Sequence, residues 1–141
     1  NVVDVIELTM DIFNEEYVHF KAEEAVIISK IDRTQLIRII TNLVKNAIQA
    51  IPESQENKAV FVNIKKELDH VIITIADNGI GIANEDFNRI FEPKFTTKSS
   101  GMGLGLGIIK NIIENYNGTI TLESQKEKGT TFTVSLPIIN T

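Results

Sequence analysis

Four of the eight glycines in this 141-residue chain fall on alternate positions of one stretch, GMGLGLG, from Gly101 to Gly107. Such a run has almost no side chain with which to do chemistry. It is followed by IIKNIIENY, in which apolar residues recur at helical spacing. Bare backbone N–H groups at the mouth of a helix form an anion site, reinforced by the positive end of the helix dipole. Gly101, Gly103 and Gly105 would let the backbone approach phosphate oxygens closely, while Leu104 and Leu106 anchor the following helix. Lys98 is the nearest cation able to reach a terminal phosphate. Two other glycine patterns are excluded. A Walker A loop needs Gly-Lys followed by Ser or Thr, and the dinucleotide fingerprint started at Gly101 needs glycine where Leu106 stands.

Two further groups could meet such an anion. Asn42 and Asn46 are four residues apart in RTQLIRIITNLVKNAIQAI, so on a helix they share one face, with Gln35, Arg38 and Gln49 nearby. Asparagine is a poor residue for a helix interior, because its side chain competes for backbone hydrogen bonds. Taken alone, the pair reads as a solvated face. The chemical alternative is an amide oxygen from Asn46 on a hard cation such as Mg²⁺, which takes few protein ligands beside phosphate oxygens and water. Asp77 ends the apolar run VIITIAD and leads into NGIGI. Asp-Asn-Gly is turn chemistry, but Gly79 and Gly81 also clear room beside the carboxylate. A carboxylate only accepts hydrogen bonds, so it suits the exocyclic amine of adenine and repels the carbonyl that guanine carries there.

The elements that must position these groups follow from patterning. VVDVIELTMDIF reads as a first helix or the end of a linker helix, with a boundary near residue 14 and a single domain over 15–141. Tyr17 to Lys21 and Ala25 to Ile31 read as two strands, and Arg33 to Ile51 as a helix capped by Asp32 or Thr34 and stopped at Pro52. AVFVNIKKEL and VIITIAD form a hairpin about Asp69-His70, Leu104 to Tyr116 is a helix, and GTITLES with GTTFTVSLP closes the chain as a strand pair. The stretch between Asn78 and Gly103 is too long for a plain loop unless it is a functional lid. Helices and a mixed sheet in two layers are the natural packing.

Composition narrows the class. No apolar run approaches the roughly 20 residues needed to span a bilayer. With no cysteine, thiolate metal sites and disulfides are excluded, and the expected setting is reducing and cytoplasmic. A net charge of −5 and the lack of a basic stripe argue against nucleic acid as partner. The chain opens mid-pattern with NVVDV, which reads as a piece of a longer protein.

Taken together, NLVKNAIQA, DNGIGI, FEPKFTTK, GMGLGLG and GTTFTV resemble the motif series of the ATP-binding catalytic domain of bacterial sensor histidine kinases. That superfamily also holds gyrase, the mismatch-repair ATPase and a heat-shock chaperone. The resemblance spans Asp32 to Pro137 and implies an α/β two-layer sandwich. Its mixed, mostly antiparallel sheet of about five strands packs on three helices, with ATP under a mobile lid. Carried over residue by residue, Asn46 is the Mg²⁺ ligand, Asp77 the adenine contact, and Gly79 and Gly81 shape the base pocket. Gly101, Gly103 and Gly105 serve the phosphates and lid hinging, and Thr130 or Thr131 reaches the adenine side. Asn42 helps order the triphosphate, and Lys98 joins Asn42 and Asn46 in the catalytic set. Lys45, Ile82, Leu104 and Leu106 complete the implied nucleotide-binding residues.

Two positions depart from the pattern of the relatives. ATP-hydrolysing members carry a glutamate where this chain has Asn42, and an amide cannot act as general base toward water. Lys94 stands where the phenylalanine box more often has Phe or Leu. Neither His19 nor His70 lies in an acceptor-helix motif, so the acceptor histidine is expected on a separate dimerisation bundle, to which Phe91 and Phe95 could dock. The implied partners are that bundle and a downstream response regulator, with a monomeric fragment and a homodimeric parent; many parents of such domains are membrane-anchored sensors. A non-catalytic ATP-sensing module, or a serine kinase or ATPase of the same fold, are the competing readings.

Overall fold

The longest helix shows how local sequence sets the frame. In a computed structural model of the chain, which describes residues 1–13, 16–82 and 102–139 and only the backbone of 102–105, α2 spans Arg33–Ala50. Its N-terminus is held by Asp32, whose Oδ2 accepts from the Gln35 amide at 3.3 Å. It stops at Ile51, which turns to extended backbone (φ −95°, ψ 117°) because Pro52 disfavours a helical residue before it. Between these limits Leu36, Ile39, Ile40, Leu43, Val44 and Ala47 form a continuous buried stripe.

That stripe lies on one face of a five-stranded sheet ordered β1-β2-β3-β5-β4, with β1 (Val18–Ala22) parallel to β2 and every other pair antiparallel. The strands β2 (Val60–Glu67) and β3 (His70–Asp77) form the central hairpin, and β4 (Thr119–Gln125) and β5 (Gly129–Pro137) close the sheet. Period-two alternation sends Val60, Val62, Ile64, Val71, Ile73, Ile75, Phe132, Val134 and Leu136 toward the helices. Two more helices share that layer. The first, α1 (Val2–Met10), buries Val2, Val3 and Ile6, and α3 (Met102–Asn115) buries Ile109 and Ile113. This is the two-layer α/β sandwich expected from the sequence.

Element limits differ in three informative places. Ala25 to Ile31 is not a strand. Its backbone is spent elsewhere: Ile27 N–H donates to Asn1 Oδ1 at 3.1 Å, Ile27 O accepts from Val2 N at 2.8 Å, and Ile28 O accepts from Ile139 N at 2.7 Å. The segment ties the start of α1 to the chain after β5, and of its apolar run Ile27 is buried while Val26 and Ile28 are exposed. The β2–β3 turn falls at Leu68-Asp69, with Leu68 in the left-handed region (φ 57°), so His70 opens β3 opposite Glu67. The His70 ring, 2.8 Å from Asp69 Oδ1, holds that exposed carboxyl below its ordinary range. Finally, α3 begins at Met102, two residues before the expected Leu104. It ends in a Schellman arrangement, with Asn117 left-handed (φ 62°) and Gly118 N–H bonded to Ile113 O at 2.9 Å.

The polar loop after α2 is fastened by one residue. Asn78 Nδ2 donates to Asn57 O, at 2.6 Å, and its Oδ1 accepts from Ala59 N at 2.9 Å. Gln55 Nε2 then reaches Asn78 O at 2.9 Å. Replacing Asn78 by Ala strands the part-buried Ala59 N–H without an acceptor, and urea denaturation should show a loss of about 1–3 kcal/mol. In the core, Ile73→Ala removes a fully buried side chain of the central strand and should cost about 2–5 kcal/mol in the same measurement.

Candidate nucleotide site

Asp77 occupies the last core-facing position of β3, next in the row after Val71, Ile73 and Ile75. In register it lies between Val60 of β2 and Thr130 of β5, and directly opposed residues of antiparallel strands point to the same face. An apolar row thus ends in a half-buried carboxylate at the edge of the helix layer. Asp77 Oδ1 accepts from the Gly79 amide at 2.8 Å, an Asx turn that fixes the carboxylate against its own backbone.

The strand end is gripped from both sides. Ile80 N–H donates to Ala50 O at 2.9 Å, joining it to the last residue of α2, and Glu127 N–H donates to Ile80 O at 2.6 Å, joining it to the β4–β5 turn. Gly79 permits the first approach, since a Cβ there would sit 2.3 Å from Ala50 O. Gly81 permits the second, with φ 73° and a Cβ position 2.1 Å from Gln125 O. Both glycines therefore serve close backbone docking around Asp77.

Asn46 stands one turn before that same end of α2. Although polar, it is only 8% exposed, and its Nδ2 is buried without a hydrogen-bond partner among the described residues. An unmatched buried polar atom costs about 1–3 kcal/mol, so it calls for an explanation. Gln35 Oε1, on the same flank, is likewise buried and unpartnered. Asn42 is half-buried, and its Nδ2 donates to Arg38 O at 2.9 Å. Lys45 is exposed on the outer side of α2.

The direction of α3 completes the arrangement. The Tyr116 hydroxyl, just past its C-terminus, accepts from Asp32 N at 3.3 Å beside the start of α2. Because α2 and α3 also pack together, they run antiparallel, and the N-terminus of α3 points to the Asn46 end. At about 1.5 Å per residue, the 14 residues of α3 reach roughly as far along α2 as Asn46. Gly103, Leu104 and Gly105 belong to the opening turns of α3, and Leu106 is buried. Lys98, Gly101, Lys94, Phe91 and Phe95 lie outside the described residues.

Of the two threonines, Thr130 is buried on the Asp77 face, whereas Thr131 lies opposite Ala76 and Glu123 on the other face of the sheet. His19 stacks on Phe61 at 5.0 Å on that other face, and His70 is at the far end of β3 from Asp77. Ile82 donates its N–H to Ser124 Oγ at 2.7 Å, and Ser124 also bonds Thr130 Oγ1 at 2.8 Å. Sequence patterning had not singled out Ser124 or Asn78. A period-two reading of ITLES would have found the first, since Ile120, Leu122 and Ser124 fall on the inward row. Among the described residues no group of three or more His, Cys, Asp or Glu side chains could hold a metal ion, so a cation here would depend on Asn46 and its ligand.

Comparison with known proteins gives the family and the fold. Residues 31–140 match the family described as histidine kinase-, DNA gyrase B-, and HSP90-like ATPase. The chain is 36% identical over 146 residues to the sensor histidine kinase ZraS of Salmonella typhimurium, covering 99% of this chain but 31% of that protein. A solved catalytic domain of the histidine kinase ThkA superposes with a TM-score of 0.84 at 30% identity, covering 97% of this chain and 94% of that one. ThkA has also been solved in complex with the response regulator protein TrrA, where the match has a TM-score of 0.80 at 28% identity and covers 99% of this chain and 41% of that one. A carboxylate at a strand end, an asparagine flank on α2 and a helix N-terminus turned toward both are thus placed on a shared fold, and the chain belongs to the histidine kinase-, gyrase B- and HSP90-like ATPase family, alongside the catalytic domains of histidine kinases.

Proposed function

We propose that the chain binds Mg-ATP between Asp77, α2 and the N-terminus of α3, and donates the γ-phosphate to a histidine on a separate dimerisation domain of its parent. The observation that carries this reading is the convergence on one end of the fold of a half-buried carboxylate, an unpartnered buried asparagine and a helix N-terminus. Asp77 accepts the 6-amino group of adenine, with Thr130 beside it. Gly79 and Gly81 hold the backbone that frames the base, and Ile82 borders it. Backbone amides of the glycine run, with the dipole of α3, receive the phosphates, and Lys98 neutralises the terminal one. Asn46 is the residue that would hold Mg²⁺, through its carbonyl oxygen, while its buried amide nitrogen, without a partner among the described residues, could donate to a ligand oxygen. Bound there, the ion would neutralise developing charge on the phosphoryl group.

Asn42 gives the reading its direction. The position one turn before Asn46 holds an amide and not a carboxylate, so it supplies no general base toward water, which supports transfer over hydrolysis. Neither histidine of the chain serves as acceptor, since His19 lies on the opposite face of the sheet and His70 at the other end of its strand. The chain spans 31% of the ZraS relative, which leaves ample length for an acceptor domain in a parent of similar size. A response regulator is the expected recipient after the histidine, and the parent is expected to dimerise.

Three measurements test this. Asp77→Asn places a donor where an acceptor is required, and calorimetry should show ATP affinity reduced by at least about tenfold to a hundredfold; unchanged affinity refutes the adenine contact. Asn46→Ala should abolish the Mg²⁺ dependence of ATP binding, and an unaltered metal titration refutes that role. Mixed with a histidine-bearing helix bundle and γ-labelled ATP, the chain should yield an acid-labile phosphoprotein with negligible free phosphate. Binding without transfer would favour a sensing module, and steady hydrolysis an ATPase.

A further inference from the structure

Ser124 and Thr130 form a hydroxyl pair beside Asp77 whose proton positions can be counted. A serine hydroxyl has one proton and two lone pairs. Ser124 Oγ donates to Gly129 O at 2.9 Å, which uses its only proton. It accepts from Ile82 N–H at 2.7 Å, which fills one lone pair. The contact of 2.8 Å between Ser124 Oγ and Thr130 Oγ1 must then be supplied by the threonine proton. Thr130 is 5% exposed, and no rotation of its hydroxyl keeps this bond and donates elsewhere. Its oxygen can offer only lone pairs to whatever lies beside Asp77, its direct opposite in the β3–β5 register.

From this we infer that Ser124 is a positioning residue that sets purine specificity, by locking Thr130 as a pure acceptor alongside the acceptor-only carboxylate of Asp77. The inference rests on the adenine reading above. Facing the 6-position, paired acceptors welcome an exocyclic amine, whose N–H groups donate, and disfavour a 6-oxo group, whose oxygen also only accepts. Without Ser124, the Thr130 proton is free to turn toward the ligand, and the penalty on a 6-oxo group falls.

The test compares ATP with inosine triphosphate, its 6-oxo counterpart, by calorimetry on the folded chain. Ser124→Ala also strips the Ile82 N–H of its acceptor, but that loss weighs on both nucleotides alike and cancels in the ratio of their affinities. The preference for ATP should drop by about tenfold in Ser124→Ala and return in Ser124→Thr, which restores the hydroxyl. Thr130→Val should lower the preference by itself, and adding Ser124→Ala in that background should change it no further, because the serine acts through the threonine. An unchanged ratio in Ser124→Ala or in Thr130→Val, a failure of Ser124→Thr to restore it, or a further shift in the double variant overturns the inference while leaving the adenine contact standing. Equal affinity of the unmodified chain for the two nucleotides overturns the adenine reading itself, and the role of Ser124 with it.

Discussion

Two backbone hydrogen bonds, Ile80 N–H to Ala50 O at 2.9 Å and Glu127 N–H to Ile80 O at 2.6 Å, fasten the end of the central strand between the last turn of α2 and the β4–β5 hairpin turn. They require main chains to approach within contact distance, which is why glycine stands at 79 and 81. Every polar group of the site is referred to this junction. Asp77 precedes it in β3, Asn46 lies one turn before Ala50, and Thr130 follows the turn that contains Glu127. Loosening the junction would leave each side chain on an intact element but at the wrong distance from the others.

The core and the site are continuous. The inward rows of β3, β5 and β4 are apolar and turn polar at the same end: Val71, Ile73 and Ile75 lead to Asp77, Leu136, Val134 and Phe132 lead to Thr130, and Ile120 and Leu122 lead to Ser124. Burying one of these apolar side chains is worth about 1.5–3 kcal/mol. That gain offsets the cost of desolvating the polar residues at the row ends, and the row fixes which way they face. On the facing helix, Asn46 and Gln35 each bury an amide atom that finds no partner among the described residues, a local cost of the kind ligand sites carry.

Polar satisfaction separates the two halves of the site. Around Asp77 the protein fills its own hydrogen bonds, through Gly79, Asn78, Ser124 and Thr130. Such a network is preorganised and can discriminate, because a ligand must match fixed donors and acceptors. Along α2, the Asn46 amide nitrogen and the Gln35 carbonyl oxygen find no partner among the described residues, which on the proposed reading suits the phosphate end of the ligand.

Periodicity and punctuation determined much of this protein. The apolar stripe of α2, the alternation of β2, β3 and β5, the cap at Asp32 and the stop at Pro52 are local properties, and the motif residues could be named because their spacing is local too. Ala25 to Ile31 could not be read correctly, since an apolar run of that length suits a strand or an anchored coil, and its hydrogen bonds go to Asn1, Val2 and Ile139, far away in sequence. The choice between Thr130 and Thr131 was likewise closed to local reasoning. Adjacent strand residues point to opposite faces, and only the register against Asp77 decides which one is inward. Tertiary structure alone also brought Ser124 to Thr130 and turned α3 so that its glycine-rich start faces Asn46, because a hydroxyl proton or a helix dipole acquires its direction from the neighbours that folding supplies.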